Sequence, residues 1–236
     1  MRLGGYQKLT LIDFPGKIAT TVFTVGCSFR CGFCHNPELV LPERFPAPNE
    51  MEKEFFEFLE HRKGKLEGVC ITGGEPTVQP DIIDFIKKIK VLGFAVKLDS
   101  NGTNPEVLKK VFQEKLVDFV AMDIKSSPAK YLETAGVASR EDLLKNIQES
   151  VKLIMNSGVP YEFRTTVVPG VHEERDFDEI SEWIKGADAY YLQEYRENIV
   201  LDEKIKNKTR GNALDLDKIG AKIASNFSKF GIRKNN

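Results

Sequence analysis

The chain is expected to fold as an α/β protein, a partial parallel barrel of six βα units, (β/α)6, in a single domain with a C-terminal helical extension. Short apolar segments rich in β-branched residues alternate with longer segments of helical period, and the turns between them are marked by Gly and Pro. Such alternation requires right-handed crossovers and an all-parallel sheet, and six units curve into an open barrel.

The elements follow in order. Ile18 to Val25 (IATTVFTV) is β-branched and reads as the first strand, leaving into GCSFRCGFCHN. Leu41 to Pro48 carries three prolines and reads as an irregular connection. Glu50 to Arg62 places Met51, Phe55, Phe58 and Leu59 at helical spacing, with acidic residues near its start to complement the helix dipole. Its aromatic residues, Phe55, Phe56 and Phe58, read as core.

Val69 to Thr72 is a second strand running into GGEP, and Asp81 to Leu92 is an amphipathic helix closed by Gly93. Ala95 to Leu98 is a strand ending at Asp99-Ser100-Asn101-Gly102, followed by a helix over Pro105 to Glu114. Val117 to Met122 is a strand ending at Asp123, and Arg140 to Ser157 is a long helix stopped by Gly158. Tyr161 to Val168 is a strand terminated by Pro169-Gly170, Phe177 to Ile184 a helix, and Ala189 to Leu192 the sixth strand. Beyond Tyr195 the alternation stops. Arg196 to Arg210 is charged and loop-like, and Leu214 to Phe230 is expected to be a helix capping the core, so residues 1–195 form the barrel and 196–236 the extension.

At 236 residues the chain can bury one substantial core, and its 41% hydrophobic and 29% charged residues are ordinary for a globular domain. With 34 Lys and Arg against 35 Asp and Glu, the formal charge of −1 argues against a broad nucleic-acid footprint. No run approaches the roughly 18 apolar residues that span a bilayer, and the N-terminus lacks the apolar block of a signal peptide. A cytoplasmic protein is expected. Four cysteines, three of them within eight positions, suit a reducing compartment and metal binding better than a disulfide framework.

Those three are Cys27, Cys31 and Cys34, in CxxxCxxC spacing. A structural zinc site normally takes four protein ligands, whereas a [4Fe–4S] cluster held by three cysteines leaves one iron open to another molecule. Cys70, in GVCITGG, reads as core packing rather than a fourth ligand. His35, adjacent to Cys34, points away from it in an extended loop, and His61 and His172 read as solvent-facing.

In parallel barrels, ligands gather at the C-terminal ends of the strands. There the chain carries the cysteines, Gly73-Gly74-Glu75-Pro76, Asp99 and Asn101, Asp123 and Lys125, with Arg164 on the fifth strand and Gln193 ending the sixth. Each has a plain alternative. GGEP and DSNG are good turns, and Asp123 with Lys125 two positions on can be a surface ion pair worth about 0–1 kcal/mol.

CxxxCxxC with the aromatic Phe33 before its last cysteine, followed one strand later by GGEP, resembles the radical S-adenosylmethionine (SAM) superfamily. The fuller set, DFPG at Asp13 to Gly16, GCSFRCGFCHNPE, ITGGEP, DSNG, MDIK and RTTVVPG, is similar to activating enzymes of glycyl radical enzymes. Among these it most resembles anaerobic ribonucleoside-triphosphate reductase activating proteins, with pyruvate formate-lyase activating enzymes close by.

The resemblance implies one [4Fe–4S] cluster on Cys27, Cys31 and Cys34, with SAM chelating the open iron through its amino and carboxylate groups. It further implies reductive cleavage of SAM to methionine and a 5′-deoxyadenosyl radical, which takes a hydrogen atom from a glycine of the partner. Phe33 matches a position near adenine, Gly73, Gly74, Glu75 and Pro76 the motif that meets the amino group, and Asp99 an acidic position beside it. Asp123 and Lys125 match a pair serving ribose and carboxylate, and in some relatives the two aspartates hold a monovalent cation. Arg164 matches a basic position near SAM or the partner peptide, or is a strand arginine paired to a helix carboxylate. A flavodoxin or ferredoxin type protein is the implied electron donor.

The chain departs from its pyruvate formate-lyase relatives in offering Gln193 and Tyr195 where they often carry histidine, and it has no spare cysteines for a second cluster. The alternatives are an activase of another glycyl radical enzyme, a radical SAM enzyme for a small molecule, or a structural or electron-transfer metal protein.

Overall fold

The structure is a computed structural model that describes residues 1–41, 50–197, 199–209 and 213–235. Eight strands form one sheet in chain order: β1 (Leu3–Thr10), β2 (Ala19–Thr24), β3 (Gly68–Gly73), β4 (Ala95–Ser100), β5 (Phe119–Asp123), β6 (Tyr161–Val167), β7 (Ala189–Glu194) and β8 (Lys229–Arg233). Strands β2 to β7 are the six expected ones, all parallel, with helices in the crossovers. The helices are α1 (Pro37–Val40), α2 (Met51–Arg62), α3 (Ile82–Val91), α4 (Pro105–Gln113), α5 (Tyr131–Thr134), α6 (Glu141–Met155), α7 (Glu174–Trp183), α8 (Lys204–Thr209) and α9 (Leu216–Ile223).

The sheet is wider than the sequence suggests, by one strand at each edge. β1 runs antiparallel to β2 with irregular register, so the sheet is not all-parallel. Its sequence, LGGYQKLT, alternates poorly and carries two glycines, which hides it from a period-2 reading. At the other edge the expected helix over Leu214 to Phe230 ends as α9 at Ile223. A 3-10 turn at Ala224–Asn226 follows, and β8 then pairs parallel with β7. The charged stretch after Tyr195 contains α8, and most of the expected proline-rich connection, residues 42–48, lies outside the described residues.

Strand alternation separates two environments. Val96 and Leu98 on β4, and Tyr161, Phe163 and Val167 on β6, join the hydrophobic core beneath the helices. The intervening Lys97, Asp99, Glu162 and Arg164 lie on the opposite, barrel-facing side, because successive side chains leave a strand on opposite faces. The core itself is well packed around α2 and α3. Phe55 and Leu59 are fully buried, and the Phe55 ring stacks on Phe85 with centroids 5.9 Å apart.

The DFPG segment closes the N-terminal end of the barrel. Phe14 is buried 6.3 Å from the Phe119 ring at the start of β5, and a Cβ on Gly68, at the start of β3, would sit 2.9 Å from the Phe14 ring. Asp13 accepts a hydrogen bond from the Thr21 hydroxyl at 2.6 Å. With one end plugged, ligands have access from the other.

Truncating Phe55 to alanine removes a filled position in the core. Phe55→Ala is expected to cost about 3–5 kcal/mol of stability, measured by urea unfolding against the wild type.

Candidate active site

The cysteine loop leaves β2 at Gly26 and is tied down from several directions. The Arg30 N–H donates to Ala135 O at 2.9 Å, and the Asp202 N–H donates to Gly32 O at 2.9 Å. A Cβ on Gly32 would come within 2.9 Å of Ile205 Cγ1, so the start of α8 packs directly on this loop. Ser28 shares a 2.8 Å hydrogen bond with the Thr103 hydroxyl and accepts from Asn101 Nδ2 at 2.9 Å, while Asn101 Nδ2 also lies 3.7 Å from Cys27 Sγ. The His35 ring stacks on Tyr195 with centroids 5.6 Å apart, and its Nδ1 lies 3.3 Å from Ile199 O.

The three thiols line one cavity of about 190 Å³. Burial pushes Cys27 up to about 12, with help from the Glu75 charge, and Cys31 up to about 11; Cys34 is raised for the same reason.

The GGEP turn passes close beneath the cysteine loop. The Gly74 N–H donates to Thr24 O at 2.9 Å and the Glu75 N–H to Gly26 O at 2.8 Å. Gly73 has φ +112°, and a Cβ on Gly74 would lie 2.1 Å from Gly26 O, so glycine is required by both conformation and space. Glu75 is 1% exposed. Its carboxylate accepts from Thr77 N–H (3.0 Å), the Thr77 hydroxyl (2.6 Å), the Ser100 hydroxyl (2.9 Å) and Asn101 N–H (2.6 Å). Burial still outweighs these donors and raises its pKa. The side chain is thus occupied as a clamp, and the turn offers a ligand its backbone. Pro76 is buried and begins a 3-10 turn, Pro76–Val78.

The opposite wall is a ladder of charges. Lys97 contacts Asp99, Arg164 Nη2 lies 3.2 Å from Asp99, Arg164 Nε lies 2.9 Å from Asp123, and Lys125 Nζ lies 3.0 Å from Asp123. Burial would raise Asp99, but Lys97 and Arg164 outweigh it and the net shift is downward. Burial likewise opposes ionisation of Asp123, and Arg164 and Lys125 reverse it. Lys125 is raised because Asp123, then Cys31, overcome its desolvation. Arg164 stands between the two aspartates, and its carboxylate partners lie on strands and not on a helix.

Of the residues singled out from the sequence at these strand ends, Phe33, Gly73, Gly74, Glu75, Asp99, Asn101, Asp123, Lys125 and Arg164 line the cavity beside the three cysteines, and Pro76 and Gln193 do not. Thr72, Ser100 and Thr166 also line it and were not anticipated. His172 is a correction. It was expected to face solvent and is instead 2% exposed, its Nδ1 accepting from Val168 N–H at 2.9 Å. Its Nε2 therefore carries the proton and donates to Lys125 O at 2.8 Å. Burial lowers its pKa, and its ring faces Phe33 edge-on at 6.4 Å. Cys70 is fully buried as expected, but its neighbours are polar: Lys97 Nζ at 3.7 Å and Asp99 Oδ1 at 3.8 Å.

The donor set fits an iron–sulfur cluster. All three thiols border the same space. Three thiolates suit a [4Fe–4S] cluster that keeps one iron open, and loading it requires these buried thiols to lose their protons.

Three sulfur donors at the mouth of a parallel partial barrel, with glycine backbone and alternating charges facing them, define a radical SAM enzyme. Residues 21–184 match the model of the Radical SAM superfamily, and the chain belongs to that family. Members of it use a [4Fe–4S] cluster and SAM.

The chain is 33% identical over 227 residues to a provisionally named glycyl-radical enzyme activating enzyme of Methanocaldococcus jannaschii, covering 95% of this chain and 92% of that one. It is 28% identical over 181 residues to the pyruvate formate-lyase-activating enzyme of Clostridium pasteurianum, covering 74% and 72%. Its fold matches a radical SAM methyltransferase from Sphaerobacter thermophilus with a TM-score of 0.66 at 14% identity, over 97% of this chain and 69% of that one. It spans about half the length of some longer proteins it also resembles. Among the described residues no helix is long and apolar enough to cross a membrane.

The depressed aspartates make stability pH-dependent in a defined direction. With native pKa values below the ordinary 3.8, Asp99 and Asp123 stabilise the fold above that pH and lose the contribution as pH falls through their native values. Asp123→Asn is expected to flatten the fall in unfolding free energy between about pH 5 and pH 2, read from urea titrations of both proteins.

Proposed function

We propose that this protein is an activase that installs a glycyl radical on a partner enzyme, and that the partner is an anaerobic ribonucleoside-triphosphate reductase. The observation that carries the activity is the convergence on one cavity of Cys27, Cys31 and Cys34 with the Gly73–Gly74 backbone and the Asp99, Asp123, Lys125 and Arg164 wall. When bound, the cluster and SAM supply an electron to the sulfonium, scission of a C–S bond, and a 5′-deoxyadenosyl radical able to take a hydrogen atom from glycine.

The protein's part is placement. Cys27, Cys31 and Cys34 hold the cluster. The backbone of Gly73 and Gly74 would accept from the SAM amino group, and Asp99 in the same cavity would complement its charge. Lys125, held by Asp123, would meet the carboxylate, and Asp123 would accept from the ribose hydroxyls. Phe33, fixed against His172, flanks the adenine. Asn101 braces the cysteine loop through Ser28, and Arg164 holds the two aspartates at their spacing. We assign electron delivery to a flavodoxin or ferredoxin type donor, and location to the cytoplasm, where four free thiols stay reduced.

The choice of reductase rests on the motif set and on a chain without a cysteine-rich insert. A pyruvate formate-lyase type partner is the second reading, favoured by the similarity to the Clostridium pasteurianum enzyme.

Reduced, iron-loaded protein is to be mixed anaerobically with SAM and, separately, with each candidate partner. A doublet glycyl radical signal in electron paramagnetic resonance is expected with the reductase. A doublet with pyruvate formate-lyase alone transfers the assignment to that partner, and SAM cleavage without any protein radical overturns the activase reading. Cys31→Ala is expected to lose the cluster's visible absorbance and all SAM cleavage, checked by iron analysis and by chromatography of 5′-deoxyadenosine.

A further inference from the structure

The charge ladder does not end at Arg164. Two residues back on β6, on the same barrel-facing side, stands Glu162, whose side chain is 5% exposed and 3.9 Å from Arg164 Nη1. Arg233, on the last strand, grips Glu162 with both terminal nitrogens, Nη1 to Oε1 at 3.0 Å and Nη2 to Oε2 at 2.7 Å. The Arg233 Cζ also lies over the Tyr191 ring, 3.9 Å from its centroid, so a cation–π contact as well as charge holds it in place.

Arg164 therefore has three carboxylates within reach, Asp99, Asp123 and Glu162, and is drawn tightly to only two. What distinguishes the third is that Arg233 already satisfies both of its oxygens. A bidentate arginine–carboxylate pair takes one direction on each oxygen and neutralises the charge, which lowers the pull on a second guanidinium. Without Arg233, whose side chain is 40% exposed, the nearly buried Glu162 carboxylate loses its pair and has Arg164 as the cation within reach. The relief is for Arg164 to turn toward Glu162. That movement would release Asp123, on which Lys125 depends, and Asp99.

We propose that Arg233 is a positioning residue for the active site: by neutralising Glu162 it keeps Arg164 on Asp99 and Asp123. The inference rests on the reading of the cavity as a SAM site. It gives β8, which touches none of the cavity, a function beyond extending the sheet.

The test is equilibrium binding of SAM to the reconstituted, iron-loaded protein, with urea unfolding of every variant alongside. Arg233→Ala is expected to weaken SAM binding by about tenfold or more. Glu162→Gln alone should bind within about threefold of wild type, since a neutral amide draws a guanidinium more weakly than a carboxylate does. The decisive protein is the double variant, Arg233→Ala with Glu162→Gln, expected to recover to within about threefold of wild type.

Where Arg233→Ala does not fold, Arg233→Lys takes its place. Lysine keeps the charge but not the two-pronged grip, and a loss of about threefold or more that Glu162→Gln reverses is expected. Unchanged affinity in Arg233→Ala or in Arg233→Lys overturns the proposal. So does a double variant as weak as the single one, which would assign the effect to the packing of β8. Failure of the wild-type protein itself to bind SAM strikes the site reading instead and is distinguishable from either result.

Discussion

The buried carboxylate of Glu75 is the interaction on which the site's geometry depends. It lies on the turn after β3 and accepts hydrogen bonds from the turn's own Thr77 and from Ser100 and Asn101 at the end of β4. Its backbone N–H donates to Gly26, at the start of the cysteine loop, and Asn101 reaches on to Ser28 within that loop. Three strand-end loops are thus bound through one residue. Burying a carboxylate is unfavourable, and here four donors offset only part of the loss of water, so its pKa stays raised. Because the acceptor directions are filled by the protein, the turn is rigid before any ligand arrives, and the close approach of Gly74 to Gly26 leaves it no alternative position.

Much of this was legible in the sequence because strands and helices of the barrel obey simple periods. The six parallel strands and the loops that follow them were evident, and so was the face of α2 that buries Phe55 and Leu59. Edge strands were harder. β8, KFGIR, follows α9 so closely that its Phe230 reads as another turn of helix, and only pairing with β7 reveals it as extended. β1 fails for the opposite reason, being glycine-rich and bulged.

In the site, the residues next to recognisable motifs were found and those between motifs were missed. Lys97 and Glu162 sit two positions before Asp99 and Arg164, inside otherwise apolar strands. A charged residue at alternate positions of a central strand, AVKLDS or YEFRTTV, is the available signal, since such a strand has helices on one side and only the barrel interior on the other. His172 carried no comparable mark. Its burial comes from the turn Val168 to His172 folding back over Lys125, a tertiary arrangement that no period encodes.

Strand order has a further consequence for how the protein is made. Neighbours in the sheet are neighbours in the chain, so each strand emerging from the ribosome meets an edge laid down just before it. The cysteine loop is synthesised well before the segment around Asp202 and Ile205 that packs on it. During translation, three closely spaced thiols therefore wait without their final cover, and the nascent chain has an interval in which iron delivery and premature oxidation compete for the same sulfur atoms.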